Sequence, residues 1–268
     1  MRLHVEARLD YDFPQDVESL LHLEVAHEAG QTIVAESLTF DPPIAHARLD
    51  DPATGERRVV FRHQGSLKMT YVAMVDLTPR DTALAGAPQH AVADLPIEVL
   101  PFLRGSRFVE SDRFEQIARH EFGQLTGGDR VEAILTWLRT HVAYRSGCSN
   151  ATTTAIDSYV NRQGVCRDYA HMAAALCRAS DIPARLVSAY ALGLEPPDFH
   201  AVIEAYVGGR WRLADPTGLA SPANLVRIGE GRDAADIAFL TIFGEAFMTA
   251  QSVTVRDISQ APAEPAAA

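Results

Sequence analysis

The chain of 268 residues has few cysteines, no basic run and no long apolar stretch. Its three cysteines are an odd and sparse count that does not suggest a disulfide framework. It has no basic run, and its formal net charge is −11, whereas nucleic acids and anionic membranes both select for clustered lysine and arginine. No stretch approaches the roughly 18 apolar residues of a membrane helix. The start, "MRLHVEARLDYDFP", lacks the unbroken apolar stretch of a signal peptide. We therefore expect a cytoplasmic protein with neither a nucleic-acid nor a membrane partner.

Metal-binding spacing is also missing from the residues that could act as ligands. None of them forms a C-x2-C or H-x3-H pair, which argues against a zinc site. The residues considered are Cys148, Cys166, His171, Cys177 and His200. We expect no metal and no cofactor. His171 should also be turned about 140° around its helix from Cys166 and should pack elsewhere.

The first part of the chain has the period-two alternation of β-strands. Leu3, Val5, Ala7 and Leu9 share one parity, and charged or polar residues take the other. The runs "QTIVAESLTF", "RRVVFRH" and "LKMTYVAMVDL" continue the pattern after turn-forming segments. We predict a β-sandwich-like domain over residues 1–80. A connecting segment rich in Pro, Gly and Ala should follow over 81–110.

The remainder changes to the spacing of helices. The run "DRVEAILTWLRTHVAY" carries one apolar stripe, and "SDRFEQIARHEF" predicts a helix capped by Asp112. The Ala-rich run "GVCRDYAHMAAALCRAS" predicts a further helix, and "FHAVIEAYV" and "RWRLADPTG" predict a hairpin around Gly208-Gly209. Residues 111–258 are thus predicted to form an α+β unit with helices on an antiparallel sheet. Residues 259–268 are predicted to be a disordered tail.

Three residues in this unit form a candidate catalytic set. Cys166 begins a helix, and the positive end of a helix favours a thiolate. His200 lies near the start of one hairpin strand and Asp215 at the end of the other, so they should lie close across the ladder. A histidine beside a cysteine can act as its base, and an acid can hold the imidazole in one tautomer. Asp168 should point towards the start of its helix and away from the thiol.

Each of these residues also has an ordinary structural interpretation. A cysteine in an Ala-rich helix is usually part of the core, which we expect for Cys177, and Cys148 is expected to be a loop thiol. A lone histidine on a strand is more often on the surface or in a satisfied core position. "ADPT" by itself is often only a turn in which the aspartate caps the backbone. The order and context of Cys166, His200 and Asp215 favour the catalytic interpretation.

The segments "GVCRDYAHMAAALCRASDIPAR", "FHAVIEAYVGGRWRLADPTG" and "IGEGRDAADIAF" resemble the bacterial transglutaminase-like superfamily, whose members are often described as cysteine proteases. The resemblance implies a papain-like core over about 110–245, preceded by the strand-rich domain that often accompanies it. It further implies that Cys166 is the nucleophile, His200 the base and acid, and Asp215 the residue that orients His200. The backbone N–H of Cys166 is the natural oxyanion donor, and a side chain of "YRSGCSNATTT" could be the second.

We therefore expect an enzyme that attacks an amide carbonyl and forms a thioester acyl-enzyme on a peptide or protein substrate. Water would then hydrolyse a peptide, isopeptide or glutamine-type amide, whereas an amine would give protein cross-linking. Hydrolysis is favoured, because no feature of the sequence requires the closed tunnel that excludes water. Two alternatives stay open: an inactive protein-interaction module on the same fold, and acyl transfer from coenzyme A to an arylamine. The oligomeric state is left open.

Overall fold

The computed structural model describes residues 1–259, so the predicted tail at 259–268 lies, except for Ser259, outside the described residues. The helices are α1 (Glu115–Phe122), α2 (Gly127–His141), α3 (Ala155–Asn161) and α4 (Cys166–Arg178). The strands are β1 (Arg2–Leu21), β2 (Gln31–Asp41), β3 (His46–Asp50), β4 (Arg57–Leu77), β5 (Ala143–Tyr144), β6 (Gln163–Gly164), β7 (Ala184–Ala191), β8 (Phe199–Val207), β9 (Arg210–Ala214), β10 (Leu225–Gly231), β11 (Leu240–Ile242) and β12 (Phe247–Asp257).

The N-terminal strands lie in one antiparallel sheet in which β1 and β4 are central. The alternation read in the sequence is real, since Leu3, Val5, Ala7 and Leu9 are all buried. These side chains belong to an apolar cluster that also contains Tyr190 of β7 and Val226 of β10, among others. The sheet that packs against the N-terminal sheet is therefore formed by later strands of the chain and not by residues 1–80.

That second sheet has the strand order β10-β7-β8-β9 and is antiparallel throughout. Helix α4 packs on β7 and β8 from the other side and contacts α1, α2 and α3. Every residue from Asp168 to Arg178 in α4 is buried. Alanine suits this position, because it has the highest helix propensity and its small side chain lets a helix lie close to a sheet. The predicted α+β fold is confirmed.

The N-terminal sheet is completed by the last strands of the described chain. β12 pairs with the first half of β1, from Leu3↔Asp257 to Asp12↔Phe247, and β11 pairs with its second half. Both strands fall inside the segment 111–258. A division of the chain at residues 80 and 110 therefore separates strands that share one sheet.

Helix boundaries differ from the prediction at one point. Asp112 does not cap α1; it lies within a 3-10 turn, Ser111–Phe114, that precedes the helix, and no side chain caps α1. The apolar stripe predicted for α2, which includes Val131, Ile134 and Leu138, is buried as expected. No helix within residues 1–259 is both long and apolar enough to cross a membrane.

Candidate active site

Cys166 is the first residue of α4, and its surroundings explain the sequence "GVC". The Oδ2 atom of Asp168 accepts a hydrogen bond of 2.9 Å from the backbone N–H of Val165, so the carboxylate folds back over the start of the helix. A Cβ atom on Gly164 would lie 2.6 Å from the Cβ of Asp168, so glycine is required there. Arg167 binds the other carboxylate oxygen at 3.0 Å. As expected, the carboxylate of Asp168 is turned to the start of the helix. The thiol of Cys166 is partly buried.

The β8–β9 hairpin brings His200 and Asp215 together. Its turn, Gly208-Gly209, has φ angles of +64° and +76°, which glycine adopts readily and which a two-residue type I′ turn requires. The ladder ends at Ile203↔Ala214, so Asp215 lies diagonally opposite His200. The Nε2 atom of His200 lies 3.0 Å from Oδ2 of Asp215, and both residues are buried. The predicted proximity of these two residues is therefore observed.

The carboxylate of Asp215 is held on both oxygens. Oδ1 accepts hydrogen bonds from the backbone N–H of Thr217 at 2.8 Å and from its hydroxyl at 2.7 Å. Oδ2 accepts from the backbone N–H of Ala220 at 2.9 Å as well as facing His200. The segment "ADPT" therefore forms a turn in which Asp215 caps the backbone, as its sequence suggests. The carboxylate of Asp215 that caps this turn also orients the imidazole.

The histidine and the aspartate stabilise each other's charge. Burial lowers the pKa of His200, but the hydrogen bond with Asp215 and the negative charges of Asp215 and Cys166 outweigh it and raise the pKa from 6.5 to about 9. Burial raises the pKa of Asp215, but His200, Ala220 and Thr217 outweigh that effect and hold the pKa below its usual value. At neutral pH the site therefore contains a carboxylate and an imidazolium.

Cys166 lies close enough to His200 for its negative charge to raise the pKa of the ring, and both residues line one cavity. Since Nε2 of His200 faces Asp215, Nδ1 is the nitrogen left for the thiol, and it is buried without a hydrogen-bond partner among the described residues. The order along the site is sulfur, imidazole and carboxylate. This order can transfer a proton from thiol to histidine and can stabilise the resulting ion pair.

Tyr144 is a further polar group at the thiol. The β5–β6 pairing places it beside Gly164. Its hydroxyl lies close enough to Cys166 for the negative charge of the cysteine to act on it. Burial, and then the negative charge of Cys166, raises the pKa of Tyr144 to about 12, so its hydroxyl keeps its proton at neutral pH. The sequence indicated only the segment that begins at Tyr144, because contact across β5 and β6 has no signature in so short a pair of strands.

A cavity of about 560 Å³ opens on the thiol and the imidazole. Helix α4 contributes Cys166 and His171 to its wall, and β8 contributes His200. The N-terminal sheet also contributes, through Leu9 and Tyr11 of β1 and through β11. His171 therefore lines the cavity that holds Cys166, which its angular separation on the helix did not lead us to expect.

The other two cysteines lie away from His200 and Asp215. Cys177 is buried in the apolar core below α4, and burial raises its pKa to about 12, in agreement with its predicted core position. Cys148 is partly buried in the loop after β5. Across residues 1–259 there is no group of three or more His, Cys, Asp and Glu side chains placed to hold a metal ion.

Comparison with known proteins identifies the fold family. The family model of the transglutaminase-like superfamily matches residues 116–216, a range that contains Cys166, His200 and Asp215. A crystal structure from Cytophaga hutchinsonii, of a protein named "Putative Cysteine Protease", matches with a TM-score of 0.89 and 36% identity. The match covers 96% of this chain and 90% of that one. The chain belongs to the transglutaminase-like superfamily.

Similarity extends beyond the superfamily core into the N-terminal sheet. An uncharacterised protein of Mycobacterium bovis is 34% identical over 271 residues, which cover 88% of this chain and 85% of that protein. An uncharacterised protein of Mycobacterium leprae is 29% identical over 119 residues, which cover 40% of this chain and only 42% of the leprae protein. The transglutaminase-like core and the N-terminal sheet thus occur together in similar proteins.

Proposed function

We propose that this protein is a thiol-dependent amide hydrolase that acts on a peptide or protein substrate through Cys166, His200 and Asp215. One observation carries the proposal: the buried His200 has Asp215 3.0 Å from Nε2, keeps Nδ1 unpaired among the described residues, and lines the same cavity as Cys166. A core cysteine or a surface histidine would need no such arrangement. The Cytophaga hutchinsonii protein named "Putative Cysteine Protease", with which this chain shares 36% identity, supports the same reaction class.

In the proposed acylation step, the thiolate of Cys166 attacks the carbonyl carbon of the amide. The new C–S bond forms as the carbonyl π electrons move to oxygen, and the backbone N–H of Cys166 donates a hydrogen bond to this oxyanion. The hydroxyl of Tyr144, which lies near Cys166 and keeps its proton at neutral pH, donates a second hydrogen bond to the oxyanion. His200 then gives its proton to the leaving nitrogen as the C–N bond breaks, which leaves a thioester.

In deacylation, the neutral His200 removes a proton from water as the water attacks the thioester. The C–S bond breaks, the product acid leaves, and Cys166 and His200 return to the ion pair. Asp215 stays ionised and keeps the ring in place throughout. An amine in place of water would give transamidation by the same steps, so hydrolysis and cross-linking differ only in the acceptor.

Trapping the acyl-enzyme tests the proposal. The protein is incubated with a peptide library at pH 7, quenched in acid and measured by intact mass spectrometry, with Cys166→Ala and Cys148→Ala compared. We expect a thioester adduct and amide cleavage with the wild type and with Cys148→Ala, and neither with a folded Cys166→Ala. Cleavage by folded Cys166→Ala would show that the nucleophile is elsewhere.

A further inference from the structure

The proposed reaction leaves His171 without a role, although its ring is buried on the wall of the cavity that holds Cys166 and His200. Its Nε2 atom accepts a hydrogen bond of 3.1 Å from the backbone N–H of Ala234. A backbone amide can only donate, so Nε2 must carry a lone pair. Burial, and then the charge of Arg167, lowers the pKa of His171 to about 4. The ring is therefore neutral at pH 7, and its proton is on Nδ1.

That proton has no acceptor within residues 1–259. The Nδ1 atom of His171 is buried and lacks a hydrogen-bond partner, an unfavourable state for a donor. The ring is also fixed in place, because it stacks on Phe108 with 5.5 Å between ring centroids and 16° between planes. Phe108 is held in turn by Asp233, whose carboxylate accepts a hydrogen bond of 3.1 Å from its backbone N–H. The structure thus holds an unpaired donor rigidly beside the cavity.

The remainder of the cavity wall is mainly apolar. Its apolar lining includes Leu9, Tyr11, Phe199, Ile237, Phe239 and Ile242, and its polar lining includes Arg107, Arg167 and Gln251. Phe199 and Phe239 stack with 3.8 Å between ring centroids, which holds both rings in place in this wall. An apolar pocket with a few placed polar groups is the usual form of a site that binds an apolar ligand in a fixed orientation.

We infer that this cavity binds an apolar side chain of the substrate next to the reacting amide, and that His171 donates its Nδ1 proton to a carbonyl oxygen of the same substrate. This assignment rests on the proposed function, because it needs Cys166 to be the reacting group. It makes His171 a substrate-binding residue that takes no part in proton transfer. Its unpaired donor and the apolar wall select the same ligand, a peptide segment with a large apolar side chain.

Alkylation of Cys166 by a matched set of reagents tests the pocket. The reagents are iodoacetamide and the N-iodoacetyl derivatives of glycine amide, phenylalanine amide and aspartic acid amide, and mass spectrometry gives the rate at Cys166. Since burial of a large apolar side chain is worth about 1.5–3 kcal/mol, we expect the phenylalanine reagent to react roughly tenfold or more faster than the glycine reagent. The aspartic acid reagent should be slower than the phenylalanine reagent. Equal rates for phenylalanine and glycine reagents would overturn the apolar pocket and leave Cys166 as the nucleophile.

Two substitutions at His171 separate its nitrogens. His171→Gln can keep an acceptor for Ala234 but loses the donor at the Nδ1 position, whereas His171→Asn keeps a donor near Nδ1 and loses the acceptor. His120→Gln, on the exposed face of α1, is the matched control. We expect His171→Gln to lower the rate ratio of the phenylalanine reagent to iodoacetamide by roughly fivefold, the effect of one lost hydrogen bond, and His171→Asn to lower it less. An unchanged ratio in His171→Gln would overturn the role of the donor.

Nitrogen-15 NMR of the wild-type imidazoles gives a second test that does not depend on the folding of a variant. We expect the Nδ1 proton of His171 to shift downfield when Cys166 carries the phenylalanine adduct. An unchanged resonance in the alkylated protein would overturn the hydrogen bond even if His171→Gln does not fold. Absence of alkylation at Cys166 in the wild type would overturn the proposed function, and this inference with it.

Discussion

Replacing Asp215 by asparagine tests the electrostatics of the site. The substitution keeps the shape of the side chain and an oxygen for Thr217, but it removes the charge that faces His200. In the wild type, burial acts to lower the pKa of His200, and Asp215 and Cys166 outweigh it to give about 9. A rise from 6.5 to about 9 corresponds to about 3 kcal/mol of stabilisation of the imidazolium. In Asp215→Asn we expect most of this to be lost and the pKa of His200 to fall by about 2 pH units.

The assay is an NMR titration of the His200 ring between pH 5 and 10, with the signal assigned by its loss in His200→Gln. Asp198→Asn is a matched control, because Asp198 lies two residues before His200 and binds Gln251 instead. That variant should leave the titration of His200 close to the wild type. If Asp215→Asn and the wild type titrate alike, Asp215 is not the source of the raised pKa, and the mechanism loses its orienting residue.

The same change predicts how stability depends on pH. The pKa of His200 is raised on folding, so its contribution is fully present below about pH 6.5 and is lost as the pH rises through about 9. The lowered pKa of Asp215 sets the acid limit, since its contribution is lost as the pH falls below 3.8. The difference in unfolding free energy between the wild type and Asp215→Asn should be greatest, about 3 kcal/mol, near pH 5–6 and should shrink towards pH 9. A difference that grows with pH would refute the assignment of charges.

Three further predictions concern the reactivity of the cysteines, the role of Tyr144 and the buried Arg178. Limiting iodoacetamide at pH 6–7 should label Cys166 and spare Cys177, whose pKa burial raises to about 12; peptide mapping that finds equal labelling would contradict this. Tyr144→Phe should lower kcat roughly 100-fold, the usual effect of losing one oxyanion donor, and an unchanged kcat would remove Tyr144 from the reaction. Arg178→Met should lower the free energy of unfolding, measured in urea, by about 3 kcal/mol, because three backbone carbonyls lose the buried guanidinium as their donor. A loss below about 1 kcal/mol would show that water replaces the guanidinium.

Local patterns in the sequence predicted the elements that carry the site. Two adjacent glycines predicted the hairpin turn, and the turn brings Asp215 diagonally opposite His200. The Ala-rich run predicted the helix that begins at Cys166, and Asp168 lies at its start as expected. These features depend on neighbours a few residues apart, which a sequence displays directly.

Contacts between distant segments could not be predicted in this way. Period-two alternation shows which face of β1 is buried but does not name the strand beside it, so its pairing with β12 had no signal. The predicted rotation of about 140° between Cys166 and His171 is correct for a helix. It did not predict that one cavity is wide enough to be lined by both residues. Tyr144 lies near Cys166 because β5 pairs with β6, the strand that leads into α4.

The pairing of β1 with β11 and β12 determines when the site can be completed during synthesis. A ribosome releases the chain from its N-terminus, so Cys166, His200 and Asp215 all emerge before β11 and β12 do. Until then β1 has a free edge, and the cavity lacks the wall that β11 provides. A nascent chain therefore holds its thiol, imidazole and carboxylate without a finished substrate pocket. The pocket that we propose to select substrates is among the last parts of the described chain to form.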